Sequence, residues 1–157
     1  MVESRQNNLS AALEDYLEAI YNLSGDSNVA RSKDIAESLG VSKASVTGAL
    51  RALKKKGLAN YKPYDYVTLT KSGIETAAIV ASKHEILMSF FINVLGVDSD
   101  TAQKAACRAE HTLGPEVIKR LVAFIEFVSK NSEKGSNLAS QFHQFYEKSS
   151  KRKRKGS

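Results

Sequence analysis

The chain has 157 residues, 42% hydrophobic and 25% charged, a balance near the globular average that excludes a fibrous or wholly disordered polymer. Its single cysteine excludes an internal disulfide, and its length suits one domain or two small ones. Six of the 23 basic residues fall in 148–157, so the rest balances 17 basic against 17 acidic residues and the net charge of +6 belongs to a tail.

Residues 31–62 carry Arg31, Lys33, Lys43, Arg51, Lys54, Lys55, Lys56 and Lys62 against Asp34 and Glu37, while residues 1–30 are net acidic. That contrast points to a polyanionic partner, with a solvated charged face as the alternative. The longest apolar runs, 77–81 and 86–95, the second broken by Ser89 and Asn93, fall short of the ~20 residues of a bilayer span. No apolar stretch follows Met1. The expectation is therefore no membrane segment, no secretion signal and a cytoplasmic setting.

In chain order, Leu13, Leu17, Ile20 and Tyr21 recur at helical spacing after Ser10, predicting a helix over 10–24. Ser32 is expected to cap a short helix carrying Ile35, Ala36 and Leu39, stopped by Gly40. Ser42 then caps a second helix with Val46, Leu50 and Leu53 as its buried stripe, and Lys54–Lys56 are read as its solvated, dipole-favoured end. Two helices joined by a short glycine-centred turn form a helix-turn-helix signature. After Gly57 the pattern turns to strand: Leu58 and Tyr61, a turn of Lys62, Pro63, Tyr64 and Asp65, then Tyr66, Val67, Thr68 and Leu69. A hairpin at that place makes the arrangement a winged helix. Further helices are expected over 74–95, 98–113 and from Pro115 to 129, with weak order after Lys130 apart from a possible short helix over 138–146.

Cys107, Glu110 and His111 occupy i, i+3 and i+4 and share a helix face. Thiolate, carboxylate and imidazole together suit a transition metal of intermediate softness, while a buried cysteine beside two surface residues is the simpler reading. Asp15 and Glu18 form another i, i+3 pair, read alone as solvated acids. His84, in an apolar stretch, reads alone as a core histidine. The motif H-E-x-x-H is absent and no Ser/His/Asp arrangement is apparent, so no enzyme and no small organic substrate are expected.

The segments Glu14-Asp15-Tyr16-Leu17-Glu18-Ala19-Ile20-Tyr21, Asp34-Ile35-Ala36-Glu37-Ser38-Leu39, Val67-Thr68-Leu69-Thr70-Lys71-Ser72-Gly73, Lys83-His84-Glu85 and Ala106-Cys107-Arg108-Ala109-Glu110-His111 resemble the DtxR/MntR family of metal-dependent repressors. The resemblance covers about residues 9–130. It implies a mainly α fold with a small β-hairpin wing: an N-terminal winged helix-turn-helix (1–72), a C-terminal helical metal-binding and dimerisation domain (73–130), and a weakly ordered basic tail (131–157). By position it places metal ligands at Asp15, Glu18, His84, Cys107, Glu110 and His111. Cys107 stands where the manganese branch has a carboxylate and the iron branch a cysteine, whereas Asp15 follows the manganese branch. The iron branch's ancillary site is incomplete, because Met88 and Gln103 stand at its positions, and its SH3-like domain has no room after Lys130.

The thiolate favours Fe(II) as first choice and Mn(II) as second, with Co(II), Ni(II) or Zn(II) binding in vitro. The resemblance implies a metal-dependent transcriptional regulator of metal-uptake genes, a homodimer binding double-stranded DNA at a palindromic operator. The alternative is a metal-independent regulator sensing oxidation through Cys107. DNA-contacting candidates are Ser42, Lys43, Ala44, Ser45, Thr47 and Gly48 at the start of the recognition helix, with Arg31, Arg51 and Lys62 on phosphates and Tyr64 a further candidate in the wing. The tail is expected to add non-specific electrostatics.

Overall fold

A computed structural model describes residues 9–64, 66–133 and 137–154. Asp65 of the expected wing turn, residues 134–136 and Lys155 of the basic tail lie outside the described residues. Backbone packing separates two units, residues 1–81 and 82–157, a division that falls inside a helix.

In the N-terminal unit, α1 (Ala11–Ser24) begins where Ser10 Oγ accepts the Leu13 amide at 3.3 Å and buries Tyr16, Leu17, Ala19 and Ile20. Helices α2 (Ser32–Leu39) and α3 (Lys43–Lys55) form the helix-turn-helix. Gly40 closes α2 at φ 63°, a left-handed conformation that favours glycine, and Ser42 caps α3 through the Ser45 amide at 3.1 Å. Ser32, expected as the α2 cap, is instead the first helical residue. Arg31 holds the cap position in extended backbone with no side-chain bond. The cause lies next door: Ala30 exchanges two 2.8 Å backbone bonds with Val67, which keeps the chain extended up to Arg31.

The wing is short. Strands β1 (Ala59–Asn60) and β2 (Thr68–Leu69) are antiparallel, with Ala59 opposite Leu69 and Asn60 opposite Thr68. Lys54–Lys56 are exposed, as expected of a solvated helix end, and Lys54 also donates from Nζ to the Tyr61 carbonyl at 3.0 Å, tying α3 to the wing. Leu17, Ile20, Ile35, Val46, Leu50, Leu53, Leu58 and Val67 are all fully buried in one core, each contributing about 1.5–3 kcal/mol. The start of α4 (Lys71–Ser89) is fixed by Thr70, whose Oγ1 donates to the Gly57 carbonyl at 2.7 Å and accepts the Gly73 amide at 3.0 Å. A Cβ at Gly73 would collide with the Leu58 carbonyl, so only glycine fits there.

In the C-terminal unit, the remainder of α4 runs into a π-helical turn, Phe90–Val94. Asp98 caps α5 (Ser99–Ala109) by accepting the Thr101 amide at 3.0 Å, a bond that holds its carboxyl below the usual value. Helices α6 (Pro115–Glu133) and α7 (Leu138–Arg154) pack against the π turn, where His143 Nε2 lies 3.0 Å from the Val94 carbonyl oxygen. The possible short helix expected over 138–146 is a 17-residue helix reaching Arg154, which corrects the weak order expected of the residues beyond 146 up to that point. Phe142 and Tyr146 stack one turn apart with ring centroids 6.2 Å away, and the cations of the last turn suit the negative helix end. The expectation that no segment has the makings of a bilayer span also needs correction. Within Lys71–Val94, 24 residues, an 18-residue window reaches a mean hydropathy of 1.3, long and apolar enough by length and composition, because Ser82–Glu85 interrupts the apolar run without lowering that average enough.

Candidate metal centre and nucleic-acid interface

The metal-type cluster of the C-terminal unit centres on Glu110, just beyond the last residue of α5 and only 1% exposed. A buried carboxylate is costly unless bonded, and this one lies between two imidazoles. His84 Nδ1 is 2.6 Å from Glu110 Oε2, and His111 Nε2 is 3.3 Å from Oε1. His84 Nε2 faces Gln103 Oε1 at 3.3 Å, and Gln103 Nε2 reaches Cys107 Sγ at 3.6 Å. His84 is therefore no apolar core histidine, and Cys107 is exposed, not buried. Oxygen and nitrogen donors at a buried carboxylate, with a thiol linked to His84 through Gln103, fit a divalent transition ion. Asp15 and Glu18 lie one turn apart on α1 of the other unit.

On the N-terminal unit, α3 divides its faces. Val46, Ala49, Leu50 and Leu53 enter the core, while Ser42, Lys43, Ala44, Ser45, Gly48 and Arg51 are exposed and Thr47 is half-buried. Thr47 Oγ1 donates to the Lys43 carbonyl at 3.1 Å, and the Ser42 and Ser45 hydroxyls lie 2.9 Å apart. A concavity of about 660 Å³ is lined by Arg31, Lys33, Lys43 and Arg51 together with Thr47 and the wing residues Tyr61, Tyr64 and Tyr66. Lys62 lines a neighbouring hollow with Asn60 and Thr68. Tyr66 escapes sequence reasoning. Arg31 Nη2 donates to its hydroxyl at 3.2 Å and the guanidinium sits 5.3 Å from its ring centroid, a cation–π contact between residues 35 apart in sequence.

Residues 8–67 match the family described as iron dependent repressor, N-terminal DNA binding domain, and residues 70–138 match its metal binding and dimerisation domain. An HTH-type transcriptional regulator of Methanocaldococcus jannaschii is 37% identical over 75% of this chain and 95% of its own length. The chain belongs to the DtxR/MntR family. The regulator MntR of Lysinibacillus sphaericus is 32% identical over 78% of this chain and 87% of its own, and MntR of Bacillus subtilis 30% identical over 82% and 90%. Among solved structures, a manganese-dependent transcriptional repressor in complex with manganese superposes with a TM-score of 0.67 at 29% identity, covering 73% of this chain. The chain spans about half of that protein, 53% of its length.

The DtxR/MntR family is one of metal-dependent transcriptional regulators, with a DNA-binding domain followed by a metal-binding and dimerisation domain. The apolar stretch Lys71–Val94 falls in the second of these. A redox regulator built on Cys107 finds no support, because the chain's one cysteine lies inside the segment matched by the metal-binding domain.

Proposed function

We propose that the protein is a metal-activated repressor of metal-uptake genes, with Fe(II) ahead of Mn(II) as co-repressor, acting in the cytoplasm as a homodimer on a palindromic duplex operator. The observation that carries this is buried Glu110, bonded to His84 and His111 and linked through Gln103 to Cys107. The proposed ligands are Asp15, Glu18, His84, Cys107, Glu110 and His111. A thiolate beside imidazoles and carboxylates favours Fe(II) over the harder Mn(II), while Co(II), Ni(II) and Zn(II) bind more tightly in vitro by their place in the affinity order.

When bound, the ion supplies the positive charge that offsets the carboxylates and the thiolate. Glu110 would link the two histidines, one at each carboxylate oxygen, and Cys107 would add sulfur from the preceding turn. Asp15 and Glu18 stand on the helix immediately before the helix-turn-helix, so ligation that uses both halves of the sequence couples metal binding to the DNA-competent state, reciprocally. The recognition helix offers Ser42, Lys43, Ala44, Ser45, Thr47 and Gly48 to the major groove, with Arg31, Arg51 and Lys62 on phosphates. Few of these side chains read a base strongly, so DNA shape and half-site spacing carry much of the specificity.

An anaerobic DNA-binding titration with Fe(II), Mn(II), Co(II) and Zn(II) tests the reading. It predicts that affinity for a selected operator rises with each ion and falls on chelation. Affinity indifferent to every ion contradicts it.

A further inference from the structure

Gln103 is a side chain that no ligand set includes, yet it touches two of the proposed ligands. It sits on α5 one turn before Cys107, a spacing that brings the two side chains together. Its Oε1 lies 3.3 Å from His84 Nε2 and its Nε2 lies 3.6 Å from Cys107 Sγ. We propose that Gln103 is a positioning residue that orients His84 and Cys107 for metal at once, an inference resting on the reading of these two as ligands.

The chemistry follows from the amide. Its oxygen only accepts and its NH2 only donates. Facing that oxygen, His84 Nε2 is the donor, so Nδ1, which donates to the Glu110 carboxylate at 2.6 Å without metal, is the nitrogen that exchanges its hydrogen for an ion. Facing the NH2, the Cys107 sulfur accepts a hydrogen bond that fixes its direction and withdraws charge from it. One residue thereby selects the histidine's ligating atom and tunes the sulfur's donor strength. Partners of this kind, bonded to ligands without touching the ion, change metal affinity by about 10–100-fold when removed. Gln103 is itself exposed and packs no core, so its loss leaves the fold intact.

The test uses the full chain with Gln103→Leu, which removes both bonds, and Gln103→Glu, which keeps an oxygen for His84 but no donor for Cys107. Three readouts are compared with wild type: Zn(II) affinity by competition with a chelating indicator, the His84 ring nitrogens by 15N NMR of the zinc-loaded protein, and the sulfur-to-cobalt absorption band. Gln103→Leu is expected to weaken Zn(II) about 10–100-fold, lose the fixed Nε2–H form and shift the band, with an unchanged melting temperature without metal. Gln103→Glu is expected to keep the Nε2–H form while still shifting the band. Wild-type values for all three readouts in Gln103→Leu overturn the role of Gln103, as does zinc on Nε2 in the wild type. Absence of both the cobalt band and any zinc-dependent His84 shift in the wild type overturns the ligand reading itself, and this role with it.

Discussion

The two units bury different things. Among the described residues of the N-terminal unit the fully buried large side chains are all apolar and form one continuous core from α1 through the wing. Among the described residues of the C-terminal unit the large side chains buried to 1% are Leu87 and the acidic Glu110, while Phe124 and Phe127 stay 46% and 54% exposed. Phe124 and Phe127 lie 6.4 Å apart and half-buried Phe90 meets Phe124 edge to face at 6.2 Å, so these aromatics form a connected patch and not scattered surface residues. The lesson is a division of labour. The reading head is held by its own hydrophobic burial, whereas the C-terminal unit keeps the Glu110 carboxylate inside and aromatic surface outside, as a unit stabilised by metal and by a second copy would.

The largest expected effect breaks the first half of that contrast. Leu50→Ala removes a fully buried side chain from the N-terminal core and should lower stability by about 2–5 kcal/mol, in thermal or urea unfolding, with metal failing to restore it. The second addresses the other half. Saturating Zn(II) at 100 times its dissociation constant should stabilise the C-terminal unit by about 2.7 kcal/mol, and Glu110→Ala should abolish that gain, as read by hydrogen exchange in α5.

Cys107 sharpens the comparison further. Cys107→Glu restores a harder oxygen donor and should shift activation of DNA binding toward Mn(II) relative to Fe(II) or Co(II), while Cys107→Ala should weaken activation by every ion. A smaller effect is expected from α7. Replacing Lys148, Lys151, Arg152, Lys153 and Arg154 with glutamine should lower affinity for all duplexes alike, flattening the salt dependence by about 0.9 for each phosphate that is no longer neutralised and leaving operator preference intact. The smallest concerns Asp98. Its carboxyl, held below the usual value by the Thr101 amide, contributes stability above the ordinary carboxylate range that is lost as pH falls through its lowered pKa. Asp98→Asn should remove that acid-range step from a melting curve measured against pH.

Local signals account for what was legible. Ser42, Gly40 and the Val46, Leu50, Leu53 stripe announce the helix-turn-helix, because caps, turns and helical periodicity act within a few residues. Sequence alone leaves hidden whatever depends on distant partners. Nothing near Ala30 signals its pairing with Val67, which moves the start of α2, or the reach of Arg31 to Tyr66. The spacing of Cys107, Glu110 and His111 is visible, but the bond from Glu110 to His84 joins residues 26 apart, and Gln103 gives no metal signature at all. The first turns of α7 are legible, but its extension from 147 to Arg154 hides behind a composition rich in lysine, arginine and serine.

The most direct test of the central claim is the affinity for a duplex selected from a random pool by the Fe(II)-loaded protein, measured anaerobically with metal and again with a chelator. Metal-coupled DNA binding predicts a loss of about 5–150-fold on chelation in the wild type and no further loss on chelation in Glu110→Ala. Equal affinity with and without metal in the wild type would contradict the account.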